Sequence, residues 1–256
     1  MWLMAVSISL VPVVIMVSSC FRVKVCSLCH RAQAWARWLI WGRVCVRSTY
    51  AFVFSNCTHG KPDSVLETFD LYSKMYPSVC IGPQVGEVLD DVMRRVGPSM
   101  VLELGMHCAY SSVRLLRLLP PGGRLITVEI DPFTADLGEE IILVAGFKDQ
   151  FQVLPLSSGE AILSLRELLA PQKGGFSLVL MDHDPVLYLK DLLSLEAEGL
   201  LCPIGCSIIL IHRDRRADSV KNILDYIRTK AQCYQIKTEI QIMTEICYKS
   251  AGTMVE

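Results

Sequence analysis

The spacing of apolar residues divides the chain after Gly60 into alternating helices and strands. Apolar residues at offsets of three and four indicate helices, and short apolar runs between them are typical of buried strands. The predicted helices cover residues 62–73, 85–96, 113–119, 135–145, 158–169, 187–198 and 220–231. The predicted strands cover residues 101–104, 125–128, 151–154, 176–181 and 207–211, and alternation over residues 234–249 predicts two closing strands. Repeated βα units predict an α/β fold with a mostly parallel sheet and helices on both faces.

The first 21 residues contain no charged side chain and are rich in Val, Ile, Leu and Met. A helix of about 20 apolar residues crosses a hydrocarbon core of roughly 30 Å, so residues 1–21 are predicted to be a single transmembrane anchor. Residues 22–59 form a basic, Trp-rich juxtamembrane segment. Its positive charge places the domain of residues 60–256 in the cytosol by the positive-inside rule. Membrane lipid is therefore a predicted partner, although the tryptophans suit ordinary helix packing equally well.

The charges of the chain are balanced and intermixed. Its 256 residues include 25 basic and 26 acidic side chains, which give a formal net charge of -1. This balance argues against nucleic acid as a partner, because nucleic acid binding requires a broad basic surface. The 11 cysteines are scattered and odd in number. They predict reduced thiols and a reducing compartment more than a disulfide framework.

Two turns that follow predicted strands carry the candidate chemistry. The strand over residues 101–104 runs into Gly105, and the strand over residues 125–128 ends on Glu129. An acid at the carboxyl end of a parallel strand suits a ribose, whose two hydroxyls need an acceptor. The first turn matches neither the dinucleotide fingerprint nor a P-loop, so a pyrophosphate is not expected. The remaining ligand is a nucleoside with a small zwitterionic tail such as S-adenosylmethionine, with its carboxylate near Ser111 at a helix start.

Residues 101–119, 122–132 and 178–201 closely resemble the catechol O-methyltransferase family, including its membrane-anchored members. The resemblance runs from about Val65 to the end of the chain. It implies a Rossmann-like class I S-adenosylmethionine-dependent methyltransferase fold, with a seven-stranded sheet and a reversed final hairpin.

The resemblance also implies the cofactor contacts. The family glycine matching Gly105 makes the cofactor turn, the serine matching Ser111 holds the methionine carboxylate, and the acid matching Glu129 binds the ribose. Ser158 and His183 match residues beside the adenine. The implied cofactor-binding positions are Ile81, Glu103, Gly105, Tyr110, Ser111, Glu129, Ile130, Ser158, Asp182 and His183.

The predicted acceptor half departs from the family pattern. Family enzymes hold Mg²⁺ with an aspartate after the fourth strand and an Asp-Asn pair after the fifth, and such oxygen ligands suit a hard cation. Asp182 matches the first aspartate, but the sequence at the pair reads Ile211-His212-Arg213. Pro185 stands where the family has its catalytic lysine. Asp182 is thus the single matched metal ligand, and the sequence assigns no catalytic residue.

Three further residues lie near these lost groups. Lys190 is close to Pro185 in sequence but two helical turns from Asp182 if the helix begins at Pro185. Glu239 and Glu245 are acids in the closing strands, and neither aligns with the glutamate of the family's substrate loop. The segment after Arg213 also lacks the proline-rich loop that walls the catechol site.

Two functions follow from this combination. The first is a membrane-anchored O-methyltransferase, in which S-adenosylmethionine donates a methyl group to a catechol-type hydroxyl by in-line attack. Its partner is a small catechol-type acceptor, and the family implies Mg²⁺ as a second cofactor. The second is a methyltransferase-like protein that has lost the chemistry and acts as a binding or chaperone partner for a membrane protein. The cofactor half favours the first function, and the acceptor half favours the second.

Overall fold

The computed structural model describes residues 46–76, 78, 80–169, 174–212, 218–240 and 242–250. The predicted anchor of residues 1–21 lies outside these residues, as does the juxtamembrane segment up to residue 45. Within the described ranges, the structure contains no helix that is both long and apolar enough to span a membrane.

Helices and strands alternate as the apolar pattern predicts. The helices are α1 (residues 46–56), α2 (Pro62–Met75), α3 (Gly82–Val96), α4 (Tyr110–Leu118), α5 (Pro132–Val144), α6 (Ser158–Leu169), α7 (Tyr188–Ala197) and α8 (Asp218–Thr229). The strands are β1 (Met100–Leu104), β2 (Arg124–Val128), β3 (Phe151–Leu154), β4 (Leu178–Met181), β5 (Cys206–Ile211), β6 (Tyr234–Ile240) and β7 (Met243–Tyr248).

Local chemistry explains where the bounds differ from the prediction. Helix α5 begins at Pro132, before the predicted start, because proline is preorganised for the first helical turn. Helix α7 begins at Tyr188 because a 3₁₀ turn over Pro185–Leu187 precedes it. Strand β4 begins at Leu178, since Phe176 makes an isolated bridge with Leu201 instead of a continuous ladder.

The strands form one seven-stranded sheet in the order β3-β2-β1-β4-β5-β7-β6. Strands β1 to β5 are parallel, and β7 runs antiparallel between β5 and β6. The predicted mostly parallel sheet with a reversed final hairpin is therefore confirmed. The chain order reverses between β1 and β4, and a crevice for a ligand lies outside the carboxyl ends of the strands at such a switch point.

Successive residues of the inner strands pack on opposite faces of the sheet, which makes these strands apolar throughout. One face packs against α2 to α5 and contains Val101, Leu180 and Ile209. The other face packs against α6 to α8 and contains Leu102, Val179 and Ile208. Helix α1 joins the first of these clusters through Val53, which is completely buried, so packing extends ahead of Gly60.

Candidate cofactor site

The carboxyl ends of β1, β2 and β4 bring the predicted turn residues together. The Gly105 N–H, just after β1, donates to the Val128 carbonyl at 2.9 Å. On the other side, the Asp182 N–H donates to the Leu104 carbonyl at 2.8 Å. Glu129 follows Val128, and His183 follows Asp182. The predicted residues of three separate strands therefore meet at the switch point of the sheet.

Gly105 lies against the backbone that follows β4. Its φ of +94° is a conformation that residues with a side chain rarely adopt. A Cβ at this position would lie 2.5 Å from the Asp182 carbonyl oxygen and 2.8 Å from the His183 nitrogen. Both obstacles are backbone atoms that cannot rotate away, so the turn requires glycine.

The turn continues into α4 through two further left-handed residues. His107 has φ 51° and Ala109 has φ 65°, although neither is glycine. Such conformations cost about 1 kcal/mol or more each, and they cluster at functional sites. Ala109 is the N-cap of α4, and its methyl side chain cannot cap the helix. The first turn of α4 is therefore suited to accept a ligand carboxylate.

The Glu129 carboxylate is held in place by the backbone. One oxygen accepts from the His107 N–H at 2.9 Å, and the other accepts from the Asp131 N–H at 3.1 Å. Burial raises the pKa of Glu129 above its ordinary value, and these N–H groups act in the opposite direction. The strained loop and the acid at the tip of β2 thus fix each other.

Glu103 is completely buried on β1. Its Oε2 accepts from the Ser112 hydroxyl at 2.5 Å and from the Thr127 hydroxyl at 2.6 Å. Its Oε1 is also buried, and the described residues provide it with no hydrogen-bond partner. Burial raises the pKa of Glu103 to about 7, although the hydroxyls of Ser111, Ser112 and Thr127 lower it. An unpaired buried acceptor is costly, so this oxygen is suited to a ligand donor.

His183 presents a similar atom on the other side of Gly105. Its Nε2 lies 2.7 Å from Oδ2 of Asp191, which orients the ring. Its Nδ1 is buried and without a hydrogen-bond partner in the part of the chain that the structure describes. Ser158 is the first residue of α6 and is buried. The preceding residue, Ser157, exchanges hydrogen bonds with Glu160 and caps the helix.

The remaining predicted positions have contrasting environments. Ile81 and Ser111 are buried, at 6% and 4% exposure. Tyr110 is buried too, but its hydroxyl donates to Asp70 on α2 at 2.8 Å. Ile130, by contrast, is 69% exposed at the rim. The structure thus commits the Tyr110 hydroxyl to a contact between helices and leaves the Ile130 side chain available for a ligand.

The predicted acceptor side, which comprises the carboxyl end of β5 and the turn at Pro185, has a different character. Ile211 is buried in the core, and Nε2 of His212 lies 3.1 Å from the Thr244 hydroxyl. Burial lowers the pKa of His212. Pro185 begins the 3₁₀ turn, which Asp184 caps by accepting from the Val186 N–H at 3.1 Å. Arg213 lies outside the described residues. Among those that are described, no group of three or more His, Cys, Asp and Glu side chains is placed to hold a metal.

Of the three further residues named in the sequence analysis, Glu239 is exposed on β6 opposite Thr244. Glu245 is buried and accepts from Arg95 at 2.8 and 2.9 Å and from the Ser207 hydroxyl at 2.7 Å. Lys190 is exposed and lines a groove of about 550 Å³ between α7 and α8. Neither Glu245 nor Lys190 therefore lies among the predicted residues at the switch point of the sheet.

Three residues at this edge were not predicted from the sequence. His107 supplies a backbone N–H to Glu129, Asp191 orients His183, and the Tyr188 hydroxyl lies 2.6 Å from the Ile211 carbonyl and 2.8 Å from the Met181 carbonyl. Tyr188 thereby ties the ends of β4 and β5 to α7. Tyr188 and Asp191 fall on the helical stripe that Leu192 and Leu195 continue, and an acid on an apolar stripe is a sequence signal that could have identified Asp191.

Known proteins match this chain in sequence and in fold. The family model described as O-methyltransferase matches residues 65–207. Human transmembrane O-methyltransferase is 37% identical over 164 residues, which cover 64% of this chain and 56% of that protein. Mouse catechol O-methyltransferase is 41% identical over 56% of this chain and 53% of its own length. Zebrafish catechol O-methyltransferase B is 34% identical over 71% of this chain and 69% of its own length.

The match thus spans little more than half the length of the transmembrane O-methyltransferases. Among solved structures, the Bacillus cereus O-methyltransferase in complex with SAH has a TM-score of 0.57 at 19% identity, covering 72% of this chain and 89% of that one. TomG from Streptomyces achromogenes, in complex with SAM, has a TM-score of 0.56 at 19% identity, covering 70% and 86%. These two likenesses show a common fold.

Proposed function

Because the chain belongs to the O-methyltransferase family, we propose that it binds S-adenosylmethionine at the ends of β1, β2 and β4 and methylates a catechol-type hydroxyl. The observation that carries cofactor binding is the Glu129 carboxylate, fixed by two backbone N–H groups beside a turn that only glycine can make. A fixed acceptor at this place suits the two hydroxyls of a ribose.

The unsatisfied atoms of the site fit the rest of this cofactor. Oε1 of Glu103 would accept from the ammonium group, and Nδ1 of His183, with Ser158, would face the adenine. The start of α4 at Ser111 would hold the carboxylate, because its N-cap supplies no side-chain oxygen. Each polar part of the ligand thus meets a group of opposite hydrogen-bonding character. When bound, the cofactor supplies an electrophilic methyl group.

The family's magnesium ion does not fit the residues present. Ile211 carries no ligand atom, and His212 faces Thr244, which leaves Asp182 as the single matched ligand. We therefore assign the metal no step. Pro185 has no group that accepts a proton, so an acceptor hydroxyl must ionise without a lysine at this position. An aromatic hydroxyl ionises near pH 10, far more readily than water, and this favours a catechol-type acceptor over an aliphatic alcohol.

The same acceptor side supports a second candidate function. A protein that binds the cofactor but does not transfer its methyl group would keep Gly105, Glu129 and Glu103 while tolerating Pro185 and Ile211. In that role the chain would act as a binding or chaperone partner for a membrane protein.

Both functions place the chain at a membrane. We propose that residues 1–21 anchor it and leave the domain in the cytosol, since this stretch carries no charge and basic residues follow it. Sodium carbonate extraction of cells that express the full chain should leave it in the membrane pellet. Release of the chain into the supernatant would contradict the anchor.

Calorimetric titration of the full chain with S-adenosylmethionine tests the cofactor assignment. Glu129→Ala should weaken binding by at least tenfold, and Glu129→Gln by less, because the amide oxygen still accepts one hydrogen bond. Glu139→Ala, an exposed acid on α5, is the matched control and should bind as the unaltered chain does. Equal affinity in all four proteins would overturn the ribose assignment. Product analysis with a catechol then separates the two functions.

A further inference from the structure

The thiols of Cys80 and Cys108 are in contact. Cys80 lies just before α3, and Cys108 lies in the loop between β1 and α4. The Sγ atoms of Cys80 and Cys108 are 3.1 Å apart, although the two residues are 28 positions apart in sequence. Cys80 is half-buried, and Cys108 is buried at 3% exposure. The contact therefore joins two segments that only the fold brings together.

The two sulfurs are close to bonding distance. A disulfide bond is about 2.05 Å long, so the sulfurs need to approach by about 1 Å. Gly82 has φ +76°, and the space beside its Cα, where a side chain would stand, is open to 4 Å. Open space therefore lies beside the backbone two residues after Cys80. The pair can therefore close through a small movement of one loop towards the other.

Each cysteine is adjacent to a residue of the proposed cofactor site. Ile81 follows Cys80, and the His107 N–H that fixes Glu129 immediately precedes Cys108. Ala109, which follows Cys108, is already in a strained left-handed conformation. A covalent link at Cys108 would therefore shift the loop that positions the ribose acceptor.

We propose that Cys80 and Cys108 form a reversible disulfide that weakens cofactor binding, an inference that rests on the proposed function for its second part. The oxidant is a small disulfide such as glutathione disulfide. The Cys80 thiolate attacks one of its sulfurs and releases one glutathione thiolate. Cys108 then loses its proton and attacks the Cys80 sulfur, which releases the second glutathione. Two protein thiols are oxidised, and one glutathione disulfide is reduced to two glutathione molecules.

The order of attack follows from exposure. Cys80 is reachable from solvent, whereas Cys108 is shielded and can meet only a partner that is already beside it. The buried thiol therefore resolves the mixed disulfide, and the protein avoids lasting glutathionylation at Cys80.

Peptide mapping after incubation with glutathione disulfide tests the link in the full chain. Trypsin cleaves after Lys74, Arg94 and Arg114, which leaves Cys80 and Cys108 on different peptides. We expect these two peptides to be joined, and to separate after dithiothreitol. Cys80→Ser and Cys108→Ser should each abolish the joined peptide, and Cys233→Ser, a half-buried cysteine elsewhere in the fold, should retain it. Absence of the joined peptide in the unaltered chain would overturn the proposal.

The second readout is S-adenosylhomocysteine affinity before and after oxidation. We expect about tenfold weaker binding in the oxidised chain, full recovery on reduction, and no response in Cys80→Ser. Equal affinity in both redox states would refute the regulatory part while the mapped bond stands. Failure of the reduced chain to bind would instead refute the proposed function, so the two failures are distinguishable.

Discussion

The two ends of the crevice differ in how their polar groups are used. At the ends of β1 and β2, Oε1 of Glu103 is buried and unsatisfied by the described residues, and Glu129 is fixed by backbone N–H groups. At the end of β5, His212 pairs with Thr244, and Ile211 is part of the core. The first region contains a buried acceptor that a ligand could satisfy, whereas His212 in the second region is already hydrogen-bonded within the protein. The difference favours cofactor binding over metal-assisted chemistry.

Gly105 contributes most to the difference between the two ends of the crevice. Gly105→Ala should reduce S-adenosylmethionine affinity by more than a hundredfold, because a Cβ would collide with the Asp182 carbonyl oxygen and the φ of +94° disfavours alanine. We expect a loss of about 2–4 kcal/mol in the free energy of unfolding as well. Calorimetry and urea denaturation measure both effects. Gly174→Ala is the control, since nothing lies within 4 Å of a Cβ there and it should change neither value.

Replacing Glu103 should change cofactor affinity and the stability of the fold in opposite directions at high pH. Glu103→Gln should weaken cofactor binding by roughly tenfold or more, because the neutral amide loses the charge attraction to the ammonium group and its one oxygen accepts from the Ser112 and Thr127 hydroxyls. With a pKa of about 7, the buried carboxylate destabilises the folded state above pH 7, and this penalty disappears as the pH falls towards the unfolded value near 4.5. Glu103→Gln removes this penalty, which is about 3 kcal/mol. Burial of an amide with an unsatisfied hydrogen-bonding group costs about 1–3 kcal/mol and offsets part of that gain.

The difference in the free energy of unfolding between Glu103→Gln and the unaltered chain should therefore change sign with pH, and thermal unfolding measures this difference. Glu103→Gln should be about 1 kcal/mol more stable than the unaltered chain at pH 8 and less stable at pH 5, where Glu103 is already neutral. Glu139→Gln, an exposed position, should show no such crossover. A variant that is less stable at both pH values would mean that the carboxylate is not penalised by its burial.

Pro185, in place of a lysine, predicts how the rate of methyl transfer depends on pH. On the proposed function, proline in place of a lysine base leaves the ionised fraction of a phenolic acceptor to set the rate. Initial rates at saturating cofactor should rise about tenfold per pH unit between pH 7 and pH 9, since aromatic hydroxyls ionise near pH 10. Lys190→Ala should have the same slope because Lys190 is exposed on α7. A plateau near neutral pH that disappears in Lys190→Ala would identify Lys190 as the base.

The smallest expected effect concerns Ala109. Ala109→Gly should relieve the left-handed strain at φ 65°, but it also removes a completely buried methyl group, so we expect the fold to gain less than about 1 kcal/mol. Chemical denaturation measures the gain, and Ala145→Gly, at φ -68°, should instead destabilise the protein. If Ala109→Gly also loses stability, the loop is held by contacts that outweigh its backbone strain.

The sequence predicted the fold well because the sheet is buried on both faces. Continuous apolar runs such as β4 and regular helical stripes such as that of α8 are signals that require no tertiary information. The ends of elements were less predictable, since proline shifted α5 and the 3₁₀ turn delayed α7. Those differences depend on local backbone geometry.

The place of the candidate site was predictable where a residue type is dictated by its position at the end of a strand, as for Gly105 and Glu129. The side-chain contacts around the site were not predictable, because they join residues from different elements. Examples are the contact of Asp191 with His183 and that of Cys80 with Cys108. The resemblance also could not show that the hydroxyl of Tyr110 is committed to Asp70. Such pairings arise only from packing.

The central claim is an intact cofactor site beside an acceptor side without a metal. Calorimetric titration of the full chain with S-adenosylhomocysteine, with and without millimolar Mg²⁺, tests it most directly. We predict saturable binding whose dissociation constant changes by less than about twofold with Mg²⁺, as expected when a single matched ligand remains. Absence of binding, or binding that tightens about tenfold or more with Mg²⁺, would contradict the account.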